Sequence, residues 1–236
     1  SDQINRLGNH IGNYFVRINY GNSKLGISFY YNHLFEDGSG GRFKNAPDGL
    51  YGLYLTRKDS NRWFKSFVYE FYYTKDQSGP RHDRPATEEE IAQKAPSDPF
   101  PDRVILGGAD NYFNNGGYPS GWSLYGQIIG LPFITPTPAT DGIIRGTYNN
   151  RILAHHFGLS GALPLLDIQY KLLCSYSLNY GRHSAPFLDE AGNAISKPQF
   201  SFGMQLTAPE KRLPFATTLS FGFDKGDLLQ NRFGIM

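Results

Sequence analysis

The sequence predicts an all-β protein, and within that class an antiparallel up-and-down transmembrane β-barrel. Three observations carry the prediction. Apolar residues recur at every second position over stretches of about 10 to 14 residues, the period of a strand with one apolar face and longer than an average soluble strand. Short turns and long loops alternate along the chain, as the two ends of a membrane barrel require. Tyr14, Tyr20, Tyr31, Trp63, Tyr73, Tyr176 and Tyr180 stand near the ends of the apolar stripes, where a membrane interface holds amphipathic rings.

The first strand lies within residues 9–20, where Tyr14, Val16, Ile18 and Tyr20 share one face and Arg17 and Asn19 the other. Gly21-Asn22-Ser23 turns the chain into a second strand, with Leu25, Ile27, Phe29 and Tyr31 opposed by Gly26, Ser28 and Asn32. A long loop over 36–49 leads to Tyr51, Leu53 and Leu55. A short turn over 58–61 then leads to Trp63, Phe67, Tyr69, Phe71 and Tyr73, set against Ser66, Glu70 and Thr74. Residues 151–163 form a strand whose faces separate less cleanly. After the turn at Leu163-Pro164-Leu165, residues 167–180 give the clearest case: Ile168, Tyr170, Leu172, Cys174, Tyr176, Leu178 and Tyr180 on one side, Asp167, Gln169, Lys171, Ser175, Ser177 and Asn179 on the other. The long loop 181–198 precedes Phe200, Phe202, Met204 and Leu206. The turn at 208–214 precedes Leu219, Phe221 and Phe223, and a further strand starts at 231–236. No stretch has convincing helical periodicity; residues 86–94 hold one or two turns at most.

Residues 75–149 form a large loop excursion, extracellular or lumenal, carrying nine of the fifteen prolines. Within it, 122–129 looks strand-like. Counting it as a spanning strand breaks the alternation of short and long connections, so it is expected to be local structure inside the excursion. The expected organisation is one domain over 1–236 with the excursion inside it. Eight full strands and a started ninth do not complete an even-numbered barrel, so the chain is expected to be part of a larger one. Ser1 is not followed by a signal-like segment, which suits a mature product, a domain or a fragment.

Composition narrows the classes. With 23 basic and 21 acidic residues, no charge excess points to nucleic acid. Aromatics at 15% and hydrophobic residues at 39% exclude a disordered chain. The single cysteine, Cys174, excludes an internal disulfide framework and multi-cysteine metal sites. No apolar run reaches the roughly 18 to 20 residues of a membrane helix, while the polar mean hydropathy of -0.44 is compatible with a membrane barrel. A soluble sandwich or barrel also alternates, with its apolar face inward, and stands as the alternative.

The segments 9–20 (NHIGNYFVRINY), 35–39 (FEDGS), 48–55 (DGLYGLYL), 74–80 (TKDQSGP), 108–122 (GADNYFNNGGYPSGW) and 149–161 (NNRILAHHFGLSG) occur in an order that resembles the C-terminal half of Wzi-type capsule assembly proteins. The resemblance implies a bacterial outer-membrane barrel of about eighteen strands. It also implies a lectin-like role, without catalysis, in holding capsular polysaccharide at the cell surface. The implied partners are capsular or other surface polysaccharide and outer-membrane lipid, with other outer-membrane subunits as a further class.

The residues themselves offer a saccharide site over 108–122. Asp110, Asn111, Asn114 and Asn115 supply hydrogen-bonding groups for sugar hydroxyls. Tyr112, Phe113, Tyr118 and Trp122 supply flat apolar faces on which a pyranose can lie. The same composition suits an ordered loop whose aromatics pin it to the barrel wall. Asp76 and Gln77, where a strand leaves for the excursion, are further saccharide candidates, set against a solvated turn. The excursion carries six basic and nine acidic residues, which does not suggest a cationic trap for an anionic polymer.

His155 and His156 are neighbours on a strand and point to opposite faces, so they cannot chelate one ion together. No metal or cofactor is expected. Catalysis is not expected either: no G-x-S-x-G elbow is present, and His156 and Ser160, four apart on one strand, lie about 13 Å apart. A diffusion pore lined by Arg17, Glu70, Lys171 and Asp224 is the competing membrane function; the bulk of the excursion, which needs somewhere to pack, weighs against a wide opening.

Overall fold

The computed structural model describes residues 12–36, 40–59, 63–77, 110–114, 121–124, 131–138, 146–163, 165–166, 168–208, 217–229 and 231–235, with the short pieces 84–85, 87–89, 91, 104–105 and 127–128. The described residues are mostly antiparallel β-sheet. Nine strands make one sheet: β1 (Gly12–Gly21), β2 (Leu25–Phe35), β3 (Gly49–Arg57), β4 (Ser66–Tyr73), β5 (Ile152–Leu163), β6 (Ile168–Asn179), β7 (Lys197–Ala208), β8 (Thr217–Gly226) and β9 (Arg232–Ile235). Each pairs with the next in chain order, so β4 lies beside β5 and the described residues between Tyr73 and Ile152 are outside the sheet. Ser123–Leu124 pairs with Gln127–Ile128 as a small separate hairpin, and Thr135–Pro136 pairs with Thr147–Asn149.

The sheet is open. The expectation is part of a larger barrel of about eighteen strands; among the described residues no sheet closes, and β1 and β9 are the edges of the nine-stranded sheet. The physical reason is parity. In a nine-stranded meander the first and last strands run the same way, so joining them would need a parallel pair, whereas an up-and-down barrel closes with an even number of antiparallel strands.

Register makes the two faces explicit, because residues directly opposite on neighbouring strands share a face. One row crosses all nine strands as Ile18, Phe29, Leu53, Tyr69, Phe157, Cys174, Phe202, Phe223 and Phe233. The parallel row nearer the short turns is Tyr20, Ile27, Leu55, Phe67, Leu159, Leu172, Met204, Phe221 and Ile235. Nearer the long loops the row turns aromatic, with Tyr31, Tyr51, Phe71, His155, Tyr176 and Phe200 side by side. This apolar face is not a dry centre. Ile18 is 66% exposed, Phe29 57% and Phe157 43%, and no residue of the three rows is buried.

The opposite face carries a polar row of Arg17, Tyr30, Gly52, Glu70, His156, Ser175, Ser201, Asp224 and Arg232. Gly52 is required here by close approach: the Tyr30 ring lies over it and a Cβ would overlap that ring, which reaches on to donate its hydroxyl to Glu70 at 2.5 Å. At the long-loop end of β2 the apolar face is covered locally, where Phe43 stacks on Tyr14 and buried His33; the buried hydrophobic cluster lies on the second face. The buried cluster comprises Tyr72 of β4, Ile152 and Ala154 of β5, and Tyr112, Phe113 and Ile134 of the excursion; Leu34, Leu50, Trp122, Leu131 and Phe133 pack against it. These described parts of the excursion therefore lie across the polar face near the long-loop end.

Candidate functional site

Asp48 joins three loops. It precedes β3 and is fully buried. Its Oδ1 accepts from the Asp76 backbone N–H (3.0 Å), and its Oδ2 accepts from the Gln77 N–H (2.7 Å) and the Tyr112 hydroxyl (2.9 Å). Asn45 Nδ2 donates in turn to the Tyr112 oxygen at 2.6 Å. The ring nitrogens of buried His33 lie 3.0 Å from the Asp48 carbonyl oxygen and 2.9 Å from that of Gly40, fastening the 40–48 loop to β2. Burial pushes the Asp48 carboxyl up to about 7, against the downward pull of its three donors. The same burial, with Asp48 alongside, raises the Tyr112 phenol.

A second clamp is built from asparagines. Asn150 Nδ2 donates to Asn111 Oδ1 (2.8 Å) and to the Tyr112 carbonyl (2.9 Å). Asn114 Nδ2 donates to Asn111 Oδ1 (2.9 Å) and Thr147 Oγ1 (2.8 Å), while its Oδ1 accepts from the Thr147 N–H at 2.6 Å. Gly146, at φ 67°, is needed beside it, because a Cβ would overlap Asn114 Oδ1. Phe113 and Gln77 adopt left-handed φ values of 67° and 57° without being glycine. Both are held: Phe113 N–H donates to Glu36 Oε1 at 2.6 Å, and the Gln77 carbonyl accepts from Asp110 N–H at 3.1 Å while its Nε2 donates to the Asn150 carbonyl at 3.2 Å.

The sequence-predicted residues take part in these contacts. Asp110, Asn111, Tyr112, Asn114, Asp76 and Gln77 come together with Asp48 and fasten these loops to one another, with Asp110, Tyr112 and Gln77 buried and Asn111, Asn114 and Asp76 partly accessible. Tyr112 and Gln77 have no accessible surface, so neither offers a face or an amide to a sugar. Trp122 is half-buried against the apolar cluster, and its indole N–H is buried with no protein partner among the described residues. Asn115 and Tyr118 lie outside the described residues. Asp48 carried no mark in the sequence beyond its place in the DGLYGLYL segment.

The two adjacent histidines part company. His155 lies among Tyr69 and Phe71 on the apolar face and contacts the Tyr69 hydroxyl at 2.9 Å. His156 faces the polar side, with Nδ1 2.7 Å from Ser175 Oγ. There a half-enclosed cavity of about 440 Å³ lies between the sheet and the excursion, within the range of small-ligand sites. Its floor is Glu70, His156, Ser175, Ser177, Gln199 and Ser201; Pro132, Phe133, Leu228 and Leu229 wall it. Sequence reasoning placed Glu70 on the polar face but missed the cavity, because the cavity depends on where residues 132–135 return over the sheet. No family model, curated protein or solved structure matches the chain.

Proposed function

We propose that the chain forms part of the wall of a bacterial outer-membrane β-barrel, together with its loop plug. In this role it binds capsular or other surface polysaccharide and helps hold the capsule, without catalysing a reaction. The observation that carries this reading is the apolar face, continuous over nine strands and exposed along its three central rows, with the buried hydrophobic cluster on the polar side. In water such a face exceeds the few hundred Å² that monomers tolerate; against acyl chains it is the expected solvent-facing side. On β6, Ile168 to Leu178 spans about 34 Å along the strand, which at a tilt near 45° gives about 24 Å, close to the apolar band of such barrels. Further strands continue from β1 and β9 toward the number that the Wzi-type resemblance implies, because an unpaired edge in lipid is costly.

Binding is favoured over catalysis by the surroundings of Ser175. Glu70, His156 and Ser175 stand in one row, but Ser175 pairs with strands on both sides, so its backbone N–H belongs to the ladder and cannot serve an oxyanion. Repeated weak contacts to a repeating polymer would retain it through avidity. A channel or a structural subunit is the second reading; the packed excursion weighs against the channel. Glycan-array binding and planar-bilayer conductance, run on the same full-length protein, separate the two. The expected result is retention of surface polysaccharide with no steady conductance. Steady conductance without glycan binding would favour the channel.

A further inference from the structure

We propose that the cavity between the polar face and residues 132–135 is a saccharide subsite that takes one neutral sugar ring. The inference rests on the polysaccharide reading above and gives that polymer a specific seat, away from the 108–122 loop.

The floor is a two-row lattice of hydrogen-bonding groups. His156, Ser175 and Ser201 lie side by side in one row, and Ser177 and Gln199 in the next. Sugar hydroxyls, which both donate and accept, match such a mixture of hydroxyl, amide and imidazole groups. Phe133 supplies an apolar wall on which the C–H face of a pyranose can lie. Gln199 points to a ligand independently of the cavity's shape. It is 5% exposed, and its Oε1 accepts from the Leu229 N–H at 3.1 Å. Its Nε2 is buried with no hydrogen-bond partner among the described residues. An amide donor left this way is costly unless something in the cavity accepts from it, and a ring or hydroxyl oxygen does so.

Charge selects the ring. Among the described lining residues the one carboxylate is Glu70, and no lysine or arginine is present. A hydroxyl can donate to Glu70, whereas a uronic acid would bring a second carboxylate against it without a fixed cation to offset the repulsion.

The test is saturation-transfer NMR on the full-length protein in micelles, with maltotriose, cellotriose and trigalacturonic acid as probes. Saturation transfer to at least one neutral trisaccharide, exceeding that to trigalacturonic acid, is expected. Gln199→Leu should weaken it at least tenfold. Ser201→Phe, which narrows the cavity from the floor and leaves Gln199 in place, should do the same should Gln199→Leu fail to fold. No transfer to either neutral probe, preference for the acid, or transfer unchanged in both variants would each overturn the subsite. Glycan-array binding of the same variants distinguishes the two levels. Wild-type array binding that survives both substitutions removes the subsite and leaves the polysaccharide role standing; no array binding by the wild type removes that role itself.

Discussion

Replacing Asp48 by alanine is expected to release the excursion from the sheet while the nine strands stay paired. The substitution removes the acceptor of three donors, the N–H groups of Asp76 and Gln77 and the hydroxyl of Tyr112; Gln77 and Tyr112 have no accessible surface. Each unsatisfied buried group costs about 1–3 kcal/mol, with incomplete additivity. A loss of about 2–5 kcal/mol in the closed state follows, or roughly 30- to 4,000-fold in its opening equilibrium. Hydrogen exchange at Asp76, Gln77 and residues 111–114 should accelerate accordingly, while exchange in β5–β7 stays slow. Unchanged protection at Gln77 would show that Asp48 does not hold the loops together.

The same carboxyl gives the closed loops a pH dependence with a definite sign. Its closed-state value, about 7, lies above the ordinary carboxylate range near 4, so the closed state binds the proton more tightly than the open one. The contribution is complete below about pH 4, declines as pH rises, and is gone above about pH 7. Opening at Gln77 should become easier across that window in the wild type, and Asp48→Ala should flatten the trend.

Phe157→Arg is the second large effect. Phe157 sits in the central apolar row of β5, flanked by Tyr69 and Cys174, and is already 43% exposed. On a water-facing surface an arginine there would alter stability by no more than about 0.5 kcal/mol. At the bilayer midplane of a barrel the penalty is about 2–4 kcal/mol. Gly222→Arg is the matched control: it adds the same charge to the polar face, where a Cβ meets nothing within 4 Å. Reversible unfolding in lipid should show the first variant destabilised and the second close to wild type. Equal, small effects in both would mean that lipid does not cover the apolar face.

Much of the sheet was legible because its period is two and its strands are long. Ile168 to Tyr180 alternates with one exception, Leu173 on the polar side, and a one-residue slip would reverse every side chain, so face and register follow from the letters. The excursion was not legible in the same way. Tyr112, Asn114 and Gln77 have the composition of a sugar-binding loop, yet their partners, Asp48, Thr147 and Asn150, lie more than thirty positions away or in another loop, and no local pattern announces such pairings. Buried polar clamps and exposed polar binding sites use the same residue types; only burial separates them. The cavity was hidden for a related reason: Gln199 and Ser175 read as ordinary polar-face residues until Phe133 is brought over them.

Cys174, the chain's single cysteine, stands in the middle of the apolar row and accepts a nitroxide without further substitution. Electron paramagnetic resonance of that label in lipid, compared with one at Ser175→Cys in a Cys174→Ser background, reads the two faces at adjacent positions. High accessibility to oxygen with little to a water-soluble nickel chelate at 174, reversed at 175, is the result that lipid contact predicts. A label at 174 shielded from both reagents, or open to the nickel chelate, would contradict it.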